Sequence, residues 1–193
     1  MELPANLYHW LVRPKWFADR YINSYLNSNY SFEGKNVLDF GCGTGISCTN
    51  FNPKGYLGID RDRKRINFAK RKYPEYSFKS IDSPSFPIDS GTVDYILIIS
   101  VLHHIPDPDI HPYFKEFKRI LKTDGKIILI EPYICDKVNF RNRLMCFIDR
   151  GKYIRREEEY LNLFQQHNFR AQTIKKYKQL FIYEKIIIGA NLA

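Results

Sequence analysis

Cysteine is scarce in this chain of 193 residues, and none of the four, Cys42, Cys48, Cys135 and Cys146, stands at the paired spacing of a metal knuckle or at the density of a disulfide scaffold. All four are expected to be reduced thiols, and no metal site is expected. Long apolar runs are missing too. The most apolar late stretch, residues 180–190, is broken by Glu184 and Lys185 and falls short of the roughly 20 residues a spanning helix needs. The first residues, MELPANLYHWLVRPKWF, carry no basic segment leading into an apolar core, so no secretory signal is readable and a cytoplasmic location is expected. Low-complexity linkers and internal repeats are absent, which leaves little room for a two-domain reading. With 44% hydrophobic and 26% charged residues, the composition is that of a globular domain.

A formal charge of +9 raises the question of a nucleic-acid partner. The lysines and arginines are dispersed through helix-like segments such as residues 61–72, the pattern of a solvated basic surface.

Periodicity organises the middle of the chain. Residues 36–40 form a short apolar run closed by Gly41, and 56–59 a second; a charged helix over 63–72 follows, stopped by Pro74. Residues 76–81 read as a third strand and 94–99 as a fourth, whose unbroken apolar character implies cover on both faces. A helix over 112–121 and a turn at Thr123-Asp124-Gly125 lead into a strand at 126–130. A helix over 157–166 and two β-rich runs, 171–177 and 180–188, complete the chain as a terminal hairpin. Strands alternating with helices at this spacing argue for a mostly parallel sheet. Aromatic residues at helical spacing in 2–30 and a Tyr/Phe/Arg-rich insertion at 132–156 lie outside the alternation; Tyr8, Trp10 and the basic residues from Lys137 to Arg156 are candidates to cover a ligand.

The stretch Val37-Leu38-Asp39-Phe40-Gly41-Cys42-Gly43-Thr44-Gly45 carries the most chemistry. Glycines directly after a strand permit a tight turn and close approach of backbone to a ligand outside the carboxyl end of the sheet. Asp60, closing the second strand, is placed to accept hydrogen bonds from ribose hydroxyls, so the ligand expected is a nucleoside. Ile46 occupies the position of the third glycine in a dinucleotide fingerprint. Asp39 is ill suited to a diphosphate and well suited to a cationic amino group.

With these motifs the sequence resembles the class I S-adenosylmethionine-dependent methyltransferases, in particular the small type 11 group acting on small molecules. The resemblance implies a Rossmann-like, doubly wound α/β sheet of seven strands, mostly parallel with the last antiparallel, and helices on both faces, as one domain over 1–193. It implies S-adenosylmethionine as cofactor and S-adenosylhomocysteine as product. Asp39, Gly41 and Gly43, with Cys42 between them, would line the methionine moiety; Asp60 and Arg61 would lie at the ribose; Ile81, Asp82 and Ser83 at the adenine; and the backbone carbonyl of Ser100 would approach the methionine part. His103 and His104, just past the fourth strand, are the candidate general bases, needed where a hydroxyl acceptor must lose its proton. Either could instead hold the loop through hydrogen bonds to backbone. The expected reaction is methyl transfer to an oxygen, nitrogen or carbon of a small molecule bearing negative charge. Three alternatives stand beside it: a nucleic-acid methyltransferase, opposed by Ser-Val-Leu-His-His after the fourth strand; a non-catalytic cofactor-binding protein; and a nicotinamide oxidoreductase, opposed by Ile46 and Asp39.

Overall fold

In the computed structural model, Trp16 and residues 19–135, 151–179 and 183–193 are described. The chain divides into two compact units, residues 1–83 and 84–193.

In the first unit, a π turn at Asp19–Asn23 runs into the short helix α1 (Ser24–Asn29), which buries Leu26. Strand β1 (Val37–Phe40) is buried at every position and pairs in parallel with β2 (Tyr56–Asp60), from Val37 opposite Tyr56 to Phe40 opposite Ile59. Helix α2 (Arg63–Lys72) begins where the Asp62 carboxylate accepts the amides of Lys64 and Arg65, at 2.8 and 3.1 Å, and it ends before Pro74. Only Ile66 and Ala69 of α2 are buried; its six basic residues surround that narrow apolar stripe, which packs on β2 and on β3 (Ser77–Ser80). Strand β3 pairs in parallel with β2.

The second unit opens with β4 (Val93–Ile99), an apolar strand paired in parallel with β5 (Leu121–Pro132). Helix α3 (Asp107–Ile120) buries Ile110, Tyr113, Phe114, Phe117 and Ile120 along one stripe. Helix α4 (Glu157–Gln166) buries Tyr160, Leu163 and Phe164 and packs on β6 (Phe169–Gln179). Strand β7 (Tyr183–Leu192) runs antiparallel to both β5 and β6. The seven strands follow the order β3-β2-β1-β4-β5-β7-β6, the doubly wound mostly parallel sheet with its last strand antiparallel.

Several boundaries differ from those expected, among them β6 and β7, which cover 169–179 and 183–192 where the sequence reads as 171–177 and 180–188. Helix α3 starts at Asp107, five residues before Pro112, because the buried stripe already includes Ile110 and carries the helix through the proline. Strand β3 is shorter than 76–81: Tyr76 and Ile81 fall outside it. The turn at Thr123-Asp124-Gly125 lies inside β5, as a register jump: Val93 faces Leu121, whereas Tyr95 faces Lys126. Gly125 is held close, since a Cβ there would meet the Leu121 side chain at 2.7 Å. Tyr8, Trp10 and the insertion residues from Lys137 to Arg150 lie outside the described residues, as does Cys146; Cys42, Cys48 and Cys135 are free thiols. No helix among the described residues is long and apolar enough to cross a membrane.

Candidate functional site

The loop after β1 is shaped by three left-handed glycines. Gly41, Gly43 and Gly45 have φ of 73°, 57° and 74°, a region that costs other residues about 1–2 kcal/mol. The amides of Gly41 and Cys42 both donate to the Ile59 carbonyl, at 2.8 and 3.0 Å, folding the loop back over the end of β2. Gly45 is fixed twice, by conformation and by space: a Cβ there would stand 2.7 Å from the Phe78 ring. Gly43 differs, with nothing within 4 Å of where its Cβ would be, so its backbone faces open room.

Asp60 ties this loop to β2. Its Oδ2 accepts the Gly43 amide and its Oδ1 the Asp62 amide, each at 2.8 Å. Burial pushes the Asp60 carboxyl above the usual carboxylate range, with the two amides working against that rise. The cap of α2 is Asp62, which leaves Asp60 free of that role. Each Asp60 oxygen retains a second lone pair, so a ribose can be accepted without losing either amide.

Asp39 lies 3% exposed on β1 and accepts the Tyr56 hydroxyl at 2.7 Å. Burial first, then the Asp39 charge, drives the Tyr56 phenol well above its ordinary pKa, so it stays a donor. Cys42 is buried, and burial followed by Asp39 and Asp60 raises its thiol. Ile81 is 6% exposed and its amide donates to the Asp60 carbonyl at 3.0 Å. Asp82, beside it, is exposed and pairs with the Arg63 guanidinium at 2.5 Å. Arg61 and Ser83 are exposed. In the first unit, then, the expected residues gather at the carboxyl ends of β1, β2 and β3.

In the second unit Ser100 follows β4 with φ of 57°, in the left-handed region although it is not glycine. Its amide donates to the Ile130 carbonyl at 2.9 Å, and its hydroxyl accepts the Lys185 ammonium at 3.0 Å. The two histidines occupy unlike places. His103 is fully buried, with Nδ1 2.5 Å from Glu131 Oε2, whereas His104 is exposed and its ring centroid lies 4.0 Å from that of His103.

Glu131, Lys185 and Tyr56 were not singled out from sequence. A lone Glu closing the apolar run Ile127 to Ile130, and Lys185 interrupting another, were visible signals: a charge that ends an apolar strand at its carboxyl edge stands where ligands bind.

A glycine turn after β1, a carboxylate closing β2 and this strand order give the Rossmann-like fold of the solved methyltransferase structures that the chain resembles. Residues 37–125, just under half of the chain, match the methyltransferase domain family. The methyltransferase YcgJ of Bacillus subtilis, itself described as uncharacterized, is 29% identical over 121 residues, 56% of this chain and 47% of that protein. A fatty-acid O-methyltransferase of Mycolicibacterium smegmatis is 30% identical over 99 residues, 48% of this chain and 35% of that enzyme. The crystal structure of YcgJ superposes with a TM-score of 0.72 at 17% identity, over 88% of this chain and 96% of that one. The chain spans less than half the length of these curated relatives.

Proposed function

We propose that the chain transfers a methyl group from S-adenosylmethionine to an oxygen, nitrogen or carbon of a small molecule, with residues 1–193 acting as one methyltransferase domain. The reading is carried by the bond from the Gly43 amide to Asp60, which joins an open glycine turn to a ribose-accepting carboxylate. The residues present suit the cofactor. Open room at Gly43 admits a ligand against backbone, and Asp60 keeps lone pairs for two hydroxyls. Ile81 offers an apolar side chain beside the acceptor Asp82. Gly41, Cys42 and Gly43 would hold the methionine part together with the Ser100 carbonyl, and Asp39 would act on the amino group through its negative charge. Asp60 and Arg61 would hold the ribose, and Ile81, Asp82 and Ser83 the adenine.

When bound, the sulfonium supplies an electrophilic methyl carbon. The chain's own residues bind, orient and exclude water. Where the acceptor is a hydroxyl, His104 is the base: its exposed ring can take the proton, whereas His103 is fully buried. A small acceptor is supported by the fatty-acid O-methyltransferase among the relatives, and a negatively charged one by the buried ammonium of Lys185 beside Ser100.

Calorimetric titration with S-adenosylhomocysteine, with NAD in parallel, tests the cofactor. Binding of the former alone, at about micromolar affinity, supports the reading and licenses a screen of acidic acceptors; binding of NAD alone, or of neither, overturns it.

A further inference from the structure

The chain leaves β4 through a residue in a conformation unfavourable to it. Ser100, at φ of 57°, turns the loop 100–107 away from the sheet. Such a residue persists only where its surroundings over-determine it. Two buried ionic side chains do so, one through the loop's donors and one through its acceptors.

Glu131, fully buried at the end of β5, takes the donors. Its Oε1 accepts the Val101 amide at 2.6 Å and the Leu102 amide at 2.8 Å, and its Oε2 meets His103 Nδ1 at 2.5 Å. Burial pushes the Glu131 carboxyl up, but the His103 charge and hydrogen bond, with Lys185 and the amide, outweigh it and hold the group below its usual range. Arg155, 6% exposed, takes the acceptors. Its guanidinium donates to the carbonyls of Leu102 and Ile105, each at 2.9 Å, and closes the far end of the loop on Asp107 Oδ1 at 2.9 and 2.5 Å. A planar fork of five donors suits such a set of converging oxygens. The next layer is equally tight: the Tyr153 amide donates to the His103 carbonyl at 3.0 Å, and a Cβ on Gly151 would stand 2.4 Å from His103 Cδ2.

We infer that Glu131 and Arg155 are positioning residues for cofactor binding: they clamp the loop 100–107 by its amides and carbonyls, so that Ser100 is held in the geometry that meets the methionine part. The inference rests on the proposed S-adenosylmethionine reading. Neither residue is a base. Both oxygens of Glu131 are engaged by the loop itself, and burying a carboxylate and a guanidinium is expensive unless such bonds compensate.

The experiment is calorimetric titration of the full chain with S-adenosylhomocysteine, comparing wild type with Glu131→Ala, Glu131→Gln and Arg155→Met. Each is measured at a temperature where circular dichroism shows it folded. Glu131→Ala strands two amides and is expected to weaken binding about ten-fold. Glu131→Gln keeps an oxygen for both amides and is expected to stay within about three-fold of wild type. Arg155→Met keeps the apolar stem, loses the fork, and is expected to weaken binding about ten-fold. A purely structural role would lower the melting temperature of these variants and leave affinity alone. Unchanged affinity in folded Glu131→Ala or folded Arg155→Met overturns the clamp, as does a glutamine variant as weak as the alanine one; if Glu131→Ala does not fold, Arg155→Met decides. Wild type that fails to bind S-adenosylhomocysteine removes the cofactor reading instead, a distinct outcome.

Discussion

The hydroxyl of Tyr56 donates to Asp39 at 2.7 Å, from one strand to its parallel neighbour, with both residues under 4% exposed. Tyr56→Phe would leave that carboxylate short of a donor in a buried place, at a cost of about 1–3 kcal/mol. Urea denaturation of the variant against wild type measures the loss; equal stability would mean that Asp39 is satisfied without the phenol.

Asp60→Ala removes the acceptor of the Gly43 amide and the proposed ribose acceptor together. Affinity for S-adenosylhomocysteine is expected to fall by about 2–3 kcal/mol, read by calorimetry. A folded variant with undiminished affinity would detach Asp60 from the cofactor.

The acidity of Asp60 also has a signed consequence. Its folded pKa is raised by burial, so its contribution to stability is fully present below the unfolded value and is lost as pH rises through the folded one. The stability of wild type relative to Asp60→Asn should therefore decline as pH rises across and beyond the ordinary carboxylate range. A difference that is flat, or grows with pH, would show that the amides outweigh burial.

His167 gives the opposite slope. Burial, then His111 and Lys115, lower its pKa, and its Nε2 lies 2.7 Å from His111 Nδ1. Stability is present above the unfolded histidine pKa of about 6.5 and lost as pH falls through the depressed folded value. His167→Gln should flatten this acid-side loss in thermal melts recorded over that window. If the slope survives the substitution, other groups carry it.

Glycines of similar backbone should respond differently to alanine. Gly45→Ala combines a left-handed φ with a Cβ 2.7 Å from the Phe78 ring, whereas Gly34, at φ of 65°, has nothing within 4 Å. The first should lose about 2–4 kcal/mol, conformation plus overpacking, and the second about 1–2 kcal/mol. Chemical denaturation separates the two; equal losses would mean that Phe78 moves aside freely.

What was legible in the sequence followed from local constraints. Apolar continuity located β4, glycine punctuation located the loop after β1, and a proline located the end of α2. The start of α3 was misplaced because Pro112 resembles a helix start, and nothing local reveals that Ile110 is already buried in the same stripe. At the site, Asp60 was recognisable from its place at a strand end. The Glu131–His103 contact was not, since its members are 28 residues apart in sequence, and Arg155 lies 48 from Asp107. A charge inside an apolar strand announces that a partner exists; only the folded chain identifies it.

Strand β6, at one end of the strand order, offers its outer backbone to whatever approaches. Lys175, Lys176 and Lys178 are all exposed there. Lys176 is paired with Glu157 and Lys178 with Glu184, so a second copy laying its own β6 alongside would meet a charged, solvated edge and not an apolar one. Charge along this border keeps it solvated and disfavours strand addition.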